Sequence, residues 1–412
     1  MQPRLYPRAA LALLTALNFF NYIDRSVLFA VQPLVEKEFH CTKTEFGFLT
    51  TAFFLVYMIT APICGFLADR YQRKTLIVAG ALVWSAATLL TAITFNFKEL
   101  LIRHALVGIG EASFVAIAPA FLSDLFPEQK RGRIMGLFFM AIPVGTALGY
   151  VIGGIMGPRY GWRAPFYVGA VPGFLLALGM MAIPEPARGQ SDVLRETRER
   201  GTLSGLIGNG AFWTATLGMA AMTFALGGLS VWMPGFLNTA RGFSLQGANE
   251  LVGIVTLIDG VCATLFGGWL GDYMLRRTAG GYYLVSAVSL ALGIPAMLVA
   301  LYTSGPSLIP GIFVAEFLLL MNTGPLNAAV VNSVGAHIRA TAVAVNLFVI
   351  HLLGDALSPW LIGYVADRRP LPTALATTVV AVAISAVILL YGMRFAPKLQ
   401  PVDSPGAGAV AH

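Results

Sequence analysis

The chain has 412 residues, of which 57% are hydrophobic and only 11% charged, with a mean hydropathy of +0.74. A soluble domain carries about 25% charged residues, so a water-soluble enzyme or soluble binding module is excluded and an integral membrane protein is expected. The net charge of +7 does not point to nucleic acid. The basic residues fall in short clusters between apolar runs, as a topology signal does.

A helix needs about 20 apolar residues to cross about 30 Å of hydrocarbon. Twelve such runs are predicted in chain order, at 9–31, 45–68, 74–95, 98–124, 132–157, 164–184, 211–237, 248–272, 281–303, 307–333, 339–364 and 371–395. The first follows Arg4 and Arg8 in the manner of a secretory leader. No A-x-A-like site follows it, and apolar character resumes after Ser26, so it reads as a first transmembrane helix. It carries NYIDRSVL at 21–28, with Asp24 beside Arg25. A charge at the bilayer centre costs at least ~2.5–3.5 kcal/mol on insertion scales, so both are expected to face a central cavity. Asn18, Asn21 and Arg25 stand at i, i+3 and i+7, a polar stripe expected to line water.

The second run ends in Gly65-x-x-x-Asp69-Arg70-x-x-Arg73-Lys74. Gly65 would let a neighbouring helix approach closely, and Asp69 could face the positive N-terminal end of that neighbour. Such a contact would gate one side of the membrane. The eighth run ends in a weaker copy, GGWLGDYMLRR at 267–277, with Asp272 and Arg276 in matching places. A repeat between halves points to two bundles with a site between them.

The fourth run holds His104, Gly108 and Glu111 on one face; Glu111 is the second acid at depth. Arg103 would point about 100° away from that face. The fifth carries Gly145, Gly149, Gly153 and Gly157, a small-xxx-small ladder for close helix packing. The charge-dense stretch at 185–209 divides the chain and reads equally as a surface helix or a tether. The seventh run offers Phe224, Trp232, Met233 and Phe236 for an acyl tail or an interfacial belt. The eighth has Asp259 at depth without an obvious partner. The tenth and eleventh supply Glu316, Asn322, Asn327, Asn332, Asn346, His351 and Asp355, a mostly neutral hydrogen-bonding wall. Cys41, Cys64 and Cys262 show no metal or disulfide spacing and read as small core residues.

With the N-terminus placed in the cytoplasm, Lys and Arg on that side outnumber those on the other roughly two to one. The fold expected is all-α and polytopic: twelve transmembrane helices in two pseudo-symmetric six-helix bundles, at 1–184 and 211–396. A cytoplasmic linker at 185–210 joins them and a cytoplasmic tail follows at 397–412. No nucleophile–base pair and no H-E-x-x-H motif marks an enzyme, and no cofactor or metal is implied. No Walker-type loop marks a primary pump, and two unlike halves argue against a channel ring.

The motif at 65–74 resembles the loop signature of the major facilitator superfamily. NYIDRSVL, GIGEASFVAIAPAFLSDLFPEQKRGR, AIPVGTALGYVIGG and HLLGDALSPWLIGYVADR together resemble the spinster-like branch, across both halves. The glycine ladder is similar to the fifth helix of exporters in the superfamily, without the usual Gly-Pro pair. The resemblance implies the major facilitator fold and alternating-access, proton-coupled transport of amphipathic lipids such as lysophospholipids or sphingosine phosphates. Drugs or small organic anions are the alternative cargo. It assigns proton coupling to Asp24 and Glu111 with Arg25 as counter-charge, and gating to Gly65, Asp69, Arg70, Arg73, Asp272 and Arg276. Superfamily members commonly carry an Arg where this chain has His104, so His104 joins the proton-coupling candidates. The substrate-binding candidates are Arg25, Asn21, Glu111, Glu316, Asn322, Asn327 and His351. Loss of water favours a neutral carboxyl, and a nearby guanidinium favours the charged one. Movement of Arg25 would therefore let one conformation take a proton and the other release it. The expected partners are an amphipathic substrate, protons and the bilayer. The expected setting is a monomer in a bacterial inner membrane.

Overall fold

In the computed structural model, residues 6–187, 204–335 and 338–396 are described. They form α1 (Tyr6–Ala30), α2 (Gln32–Phe39), α3 (Lys43–Arg70), α4 (Arg73–Ala92), α5 (Phe97–Leu125), α6 (Glu128–Tyr160) and α7 (Ala164–Met181). After the short α8 (Ser204–Ile207) come α9 (Gly210–Arg241), α10 (Leu245–Leu275), α11 (Gly281–Tyr302), α12 (Leu308–Leu320) and α13 (Thr323–Asn332). The chain then runs through α14 (Arg339–Ile350), a π-helical turn (His351–Asp355), α15 (Ser358–Ala366) and α16 (Leu371–Gly392). No strand occurs among the described residues.

Local chemistry explains where these helices start and stop. Thr42 and Glu45 form a reciprocal capping box at the start of α3, and Asn96, Asn209 and Ser244 each accept the N–H three residues on at the starts of α5, α9 and α10. Such caps satisfy N–H groups that the helix itself leaves open. Gly161 and Gly242 end α6 and α9 at φ of +85° and +74°, a conformation that L side chains rarely adopt.

Among the described residues eleven spans are long and apolar enough to cross a membrane, counting α12–α13 as one and α14–α15 as another. The 25-residue α1, which bears Arg8, Asp24 and Arg25, is the twelfth by length. Two predicted spans are not continuous. The tenth breaks at Met321–Asn322, and the eleventh is interrupted by the π turn. Helix α2 is too short and polar to register among the apolar runs. The linker at 185–210 and the tail at 397–412 lie largely or wholly outside the described residues.

The helices sort into two bundles. α1 packs on α6 and α7, α4 on α5 and α7, and α3 on α5; in the other bundle α16 packs on α9 and α11, and α11 on α12. Two antiparallel pairs, α3 with α15 and α6 with α10, cross between them. The glycine ladder of α6 faces α1. A Cβ at Gly145 would lie 2.5 Å from the Phe19 carbonyl oxygen, and one at Gly149 2.7 Å from that of Ile23. The adjacent face of α6 meets α10, where Gly253 lies against the Ala147 carbonyl and Gly154 against Asn249.

Successive spans alternate direction, so the ends of the helices define two sides. The near side holds the start of α1, the end of α3 and the end of α10; the far side holds the end of α1 and the starts of α3 and α10. Contacts between bundles concentrate toward the far side. One apolar core there joins Val31, Phe46 and Leu49 to Trp232 and Phe236. A second core, with Leu14, Ile77 and Phe121, belongs almost wholly to the first bundle. On the near side nothing lies within 4 Å of a Cβ built at Gly65, Gly132 or Gly136. The bundles are joined on one side and parted on the other. Of the cysteines, Cys64 is buried, Cys41 is half-buried and Cys262 is exposed. The reading of Cys262 as a core residue is therefore corrected.

Candidate substrate and proton site

The Arg25 Nε of α1 donates to Glu111 Oε2 of α5 at 2.6 Å, and Glu111 is wholly buried. The guanidinium lies among four rings, 5.0 Å from the centroids of Tyr22 and Phe53, 5.3 Å from Tyr57 and 5.8 Å from Phe54. One carboxylate and several ring faces together hold this cation at membrane depth. Its side chain remains 15% exposed, because it forms part of the wall of a cavity of about 290 Å³ between the bundles. Tyr22, Arg25, Thr50 and His104 line it from the first bundle; Thr223, Ser230 and Asp355 line it from the second.

The pair is not saturated. Among the described residues no well-aligned hydrogen bond reaches Arg25 Nη2 or Glu111 Oε1, although Tyr57 and Asn21 lie against the pair. A buried polar atom left unmatched costs about 1–3 kcal/mol, so these two atoms are where an acceptor group or a proton would be favoured.

Opposite stands a second pair. His351 Nδ1 and Asp355 Oδ2 are 2.7 Å apart, at the two ends of the π turn. The His351 ring stacks on Phe54 at 5.7 Å and meets Tyr57 edge-on at 6.1 Å. Phe54 and Tyr57 therefore touch Arg25 on one side and His351 on the other. A wide turn of this kind re-aims side chains within a helix. The sequence placed Asp355 in the hydrogen-bonding wall of the second bundle, and it does line the cavity.

The structure separates several residues that the sequence reading grouped. Asp24 does not face the cavity. It is 3% exposed, accepts from the Thr88 hydroxyl of α4 at 3.2 Å, and is seated so closely on α7 that a Cβ at Gly169 would fall 1.7 Å from its Oδ1. Adjacent positions on a helix diverge by about 100°, so Asp24 and Arg25 cannot share a wall. The expected water-lined stripe also fails: Asn18 spends its Nδ2 on the Phe138 carbonyl of α6 at 3.0 Å, and Asn21 is fully buried. Of the three, Arg25 alone lines the cavity. His104 lines it too, with its ring 5.7 Å from that of Phe53. Arg103 points elsewhere and pairs with Glu99.

In the second bundle, Glu316 accepts from the Thr256 hydroxyl at 3.0 Å inside a separate small, mostly apolar cavity. The Tyr150 hydroxyl donates to the Ser230 carbonyl at 2.7 Å, and these two residues line both cavities. Glu316 thus stands behind the wall of the central site. Asn322 is fully buried and donates to Leu318 and Leu319 carbonyls where α12 breaks, while accepting from Ser289. Asn327 is exposed and donates to the Thr323 carbonyl of its own helix. Neither lines the central cavity, because both amides serve the backbone of an interrupted helix. Asp259 is 3% exposed, and its Oδ2 has no hydrogen-bond partner among the described residues. Trp232 and Phe236 are fully buried in the far-side core, the former donating to the Pro359 carbonyl at 3.1 Å. They are packing residues rather than a tail-binding surface.

The gating candidates lie on the near side. Asp69 and Arg70 occupy the exposed end of α3. Arg73 pairs with Asp124, and its N–H and that of Lys74 donate to the Glu185 carboxylate at 2.9 and 2.8 Å. Asp272 accepts from the Tyr282 hydroxyl at 2.7 Å, and Arg276 is exposed beyond it. Among the described residues no group of His, Cys, Asp and Glu is arranged to hold a metal.

Comparison with known proteins gives a consistent result. Residues 14–359 match the Major Facilitator Superfamily. The chain is 34% identical to Protein spinster homolog 3 of Danio rerio over 382 residues, covering 87% of this chain and 76% of the relative. It is 32% identical to the Sphingosine-1-phosphate transporter SPNS2 of Danio rerio, over 88% of this chain and 76% of that one. Its fold superposes with a TM-score of 0.87 on a bacterial homolog of the human lysosomal transporter Spinster, solved in an inward-facing and unoccupied conformation. Identity there is 23%, with 96% of this chain and 98% of that one covered.

Proposed function

This chain belongs to the spinster branch of the major facilitator superfamily, and from that premise we propose that it carries an amphipathic lipid with an anionic headgroup, coupled to protons through Glu111. It is a multi-pass membrane transporter rather than an enzyme. The near side is taken as cytoplasmic, in a bacterial inner membrane, with the chain acting as a monomer.

The carrying observation is the Arg25–Glu111 pair at 2.6 Å in the wall of the inter-bundle cavity. One guanidinium neutralises one carboxylate at depth. An anionic headgroup that engages Arg25 from the cavity competes for that charge, and Glu111 is then stable only with a proton on a carboxyl oxygen. When the headgroup leaves, Arg25 returns to Glu111 and the proton is released. Headgroup and proton are linked because both answer to the same cation. His104 and Asp355 line the same space and supply further hydrogen-bonding groups, with His351 bonded to Asp355 behind Phe54. Asp24, away from the cavity, serves as a second acid inside the bundle.

The lipid tail is assigned to an apolar surface of the first bundle. Between α1 and α6, toward the near side, lies an apolar trough of about 540 Å³ lined by Leu11, Thr15, Phe19, Leu137 and Val144, with Arg8 on its lining.

The test is uptake of a lysophospholipid and sphingosine-phosphate panel into proteoliposomes, with and without a pH gradient, for the wild-type chain and Glu111→Gln. Gradient-driven transport by the wild type and its loss in Glu111→Gln are expected. A Glu111→Gln protein that still accumulates substrate under the gradient refutes the proton role. A panel that stays outside while small organic anions enter refutes the cargo.

A further inference from the structure

Besides the weaker copy at 267–277, the near-side gate motif recurs a third time in the chain. GFLADR occupies 65–70, and GYVADR occupies 363–368. The first closes α3 and the second closes α15. These two helices run antiparallel and in contact, so the copies lie on opposite sides of the membrane.

The far-side copy is engaged. Asp367 Oδ1 accepts the Lys43 N–H at 2.8 Å, and Oδ2 accepts the Thr44 N–H at 2.9 Å and the Thr44 hydroxyl. Lys43 and Thr44 are the first two residues of α3. A carboxylate from one bundle therefore caps the positive N-terminal end of a helix in the other, a favourable placement of charge. The fit depends on Gly363, since a Cβ there would lie 2.2 Å from the Lys43 carbonyl oxygen. The contact continues down the pair: Gly47 lies against the Pro359 carbonyl, Thr51 donates to the Ala356 carbonyl, and Phe54 stacks on His351. It then ends, and at Gly65 the space beside α3 is open.

We infer that Gly363-x-x-x-Asp367-Arg368 is the far-side latch of the transport cycle, a cross-bundle helix cap that is closed in this conformation and must release for the far side to open. The two copies sit at opposite ends of one helix pair, so a rocking motion that parts one end brings the other together. This inference rests on alternating access alone and not on the identity of the cargo or on proton coupling.

The latch is charged under ordinary conditions. Burial by itself would raise the Asp367 carboxyl, but the Thr44 hydroxyl and N–H, the Lys43 N–H and the Lys43 charge outweigh it and hold it below the usual carboxylate value. The other charged groups around it do not displace these donors. Lys43 Nζ is bound by Glu36 at 3.1 Å, Glu45 is engaged in the Thr42 capping box, and Arg368 lies over the Tyr364 ring at 3.7 Å. The neighbouring Arg369 adds positive charge on the same loop.

The experiment is a pair of spin-label distances in lipid nanodiscs, with the three native cysteines replaced by serine. Labels at Phe95→Cys and Ser304→Cys span the far side; labels at Arg133→Cys and Arg277→Cys span the near side. Asp367→Asn and Gly363→Ala are each expected to lengthen the far-side distance and shorten the near-side one, with the far-open population rising about tenfold for loss of a charge-assisted cap. Asp69→Asn is expected to leave the far-side distance in place. If Gly363→Ala does not fold, Thr44→Val, which removes only the hydroxyl, should give a smaller shift in the same direction. Folded Asp367→Asn and Thr44→Val proteins with wild-type distances on both faces overturn the inference. No substrate is needed, so a failed cargo assignment leaves this result readable.

Discussion

The two bundles share a fold but not a division of labour. In the first, Arg25 stands in the cavity wall bonded to the buried Glu111, with His104 beside it, while Asp24 is held against Thr88 inside the bundle. In the second, the polar groups are mostly spent on the protein itself. Asn322 repairs a helix break, Thr256 holds Glu316 behind the cavity wall, and Thr223, Ser230 and Asp355, the last bonded to His351, line the centre. A buried charge is tolerated where a partner and a water-accessible cleft exist; the second bundle meets this with Asp355 beside His351, but it is the first that lines the cavity with a permanently charged guanidinium. The asymmetry suggests that the first bundle carries the charge exchange and the second mainly provides shape.

The sharpest way to break that comparison is at Arg25. Arg25→Ala strands the Glu111 carboxylate, and truncating one partner of a buried pair costs about 3–5 kcal/mol. Gradient-driven transport should fall by roughly a hundredfold or more, with a lower unfolding temperature; Arg25→Lys keeps the charge but loses the planar fork and should fall less. Unchanged uptake in Arg25→Ala would place the charge exchange elsewhere. Asp24→Asn retains the Thr88 bond and the fit against Gly169, so turnover should change by no more than about tenfold. The pH midpoint of substrate binding should stay in place, as read by binding titrations across pH. Glu316→Gln should change transport within about threefold and leave the pH profile intact. If it matches the loss seen at Glu111, the second bundle has its own proton site and the asymmetry is wrong.

The smallest effect concerns pH at the latch. The Asp367 carboxyl is lowered in the folded chain, so its stabilising contribution is complete above its ordinary value of 3.8 and is lost as pH falls through the lowered one. The far-side label distance should therefore be flat between about pH 5 and 8 and lengthen only in stronger acid. Titration of that distance near neutrality would mean another group governs the far side. Cys41, close by, should alkylate slowly at neutral pH. Its burial, reinforced by Glu36 and Glu45, pushes the thiol up to about 12, and the rate should climb as pH approaches that value.

How much was legible beforehand differs between residues in a physical way. The spans were readable because each needs a long apolar run, and the glycine ladder because its spacing is a helical face. Glu111 and Arg25 were readable because their cost in hydrocarbon demands a function or a partner. Asp24 was misplaced because a charge announces its depth but not its azimuth. Asn18 and Asn322 were assigned to the cavity although they secure backbone and neighbouring helices, and an amide in the membrane serves either role without any change of sequence. The break at Met321–Asn322 and the π turn at His351–Asp355 leave no gap in hydropathy, so both spans read as unbroken.

By itself the sequence determined a membrane-spanning, two-bundle chain with a costly acid and base at depth, because lipid penalises polar groups at every span regardless of how the spans pack. Only the tertiary structure decided which of those groups meet: that Arg25 chooses Glu111 over its neighbour Asp24, and that Asp367 reaches across to cap α3. Partnership depends on the rotation and approach of helices distant in the chain, and these follow from packing on all sides at once.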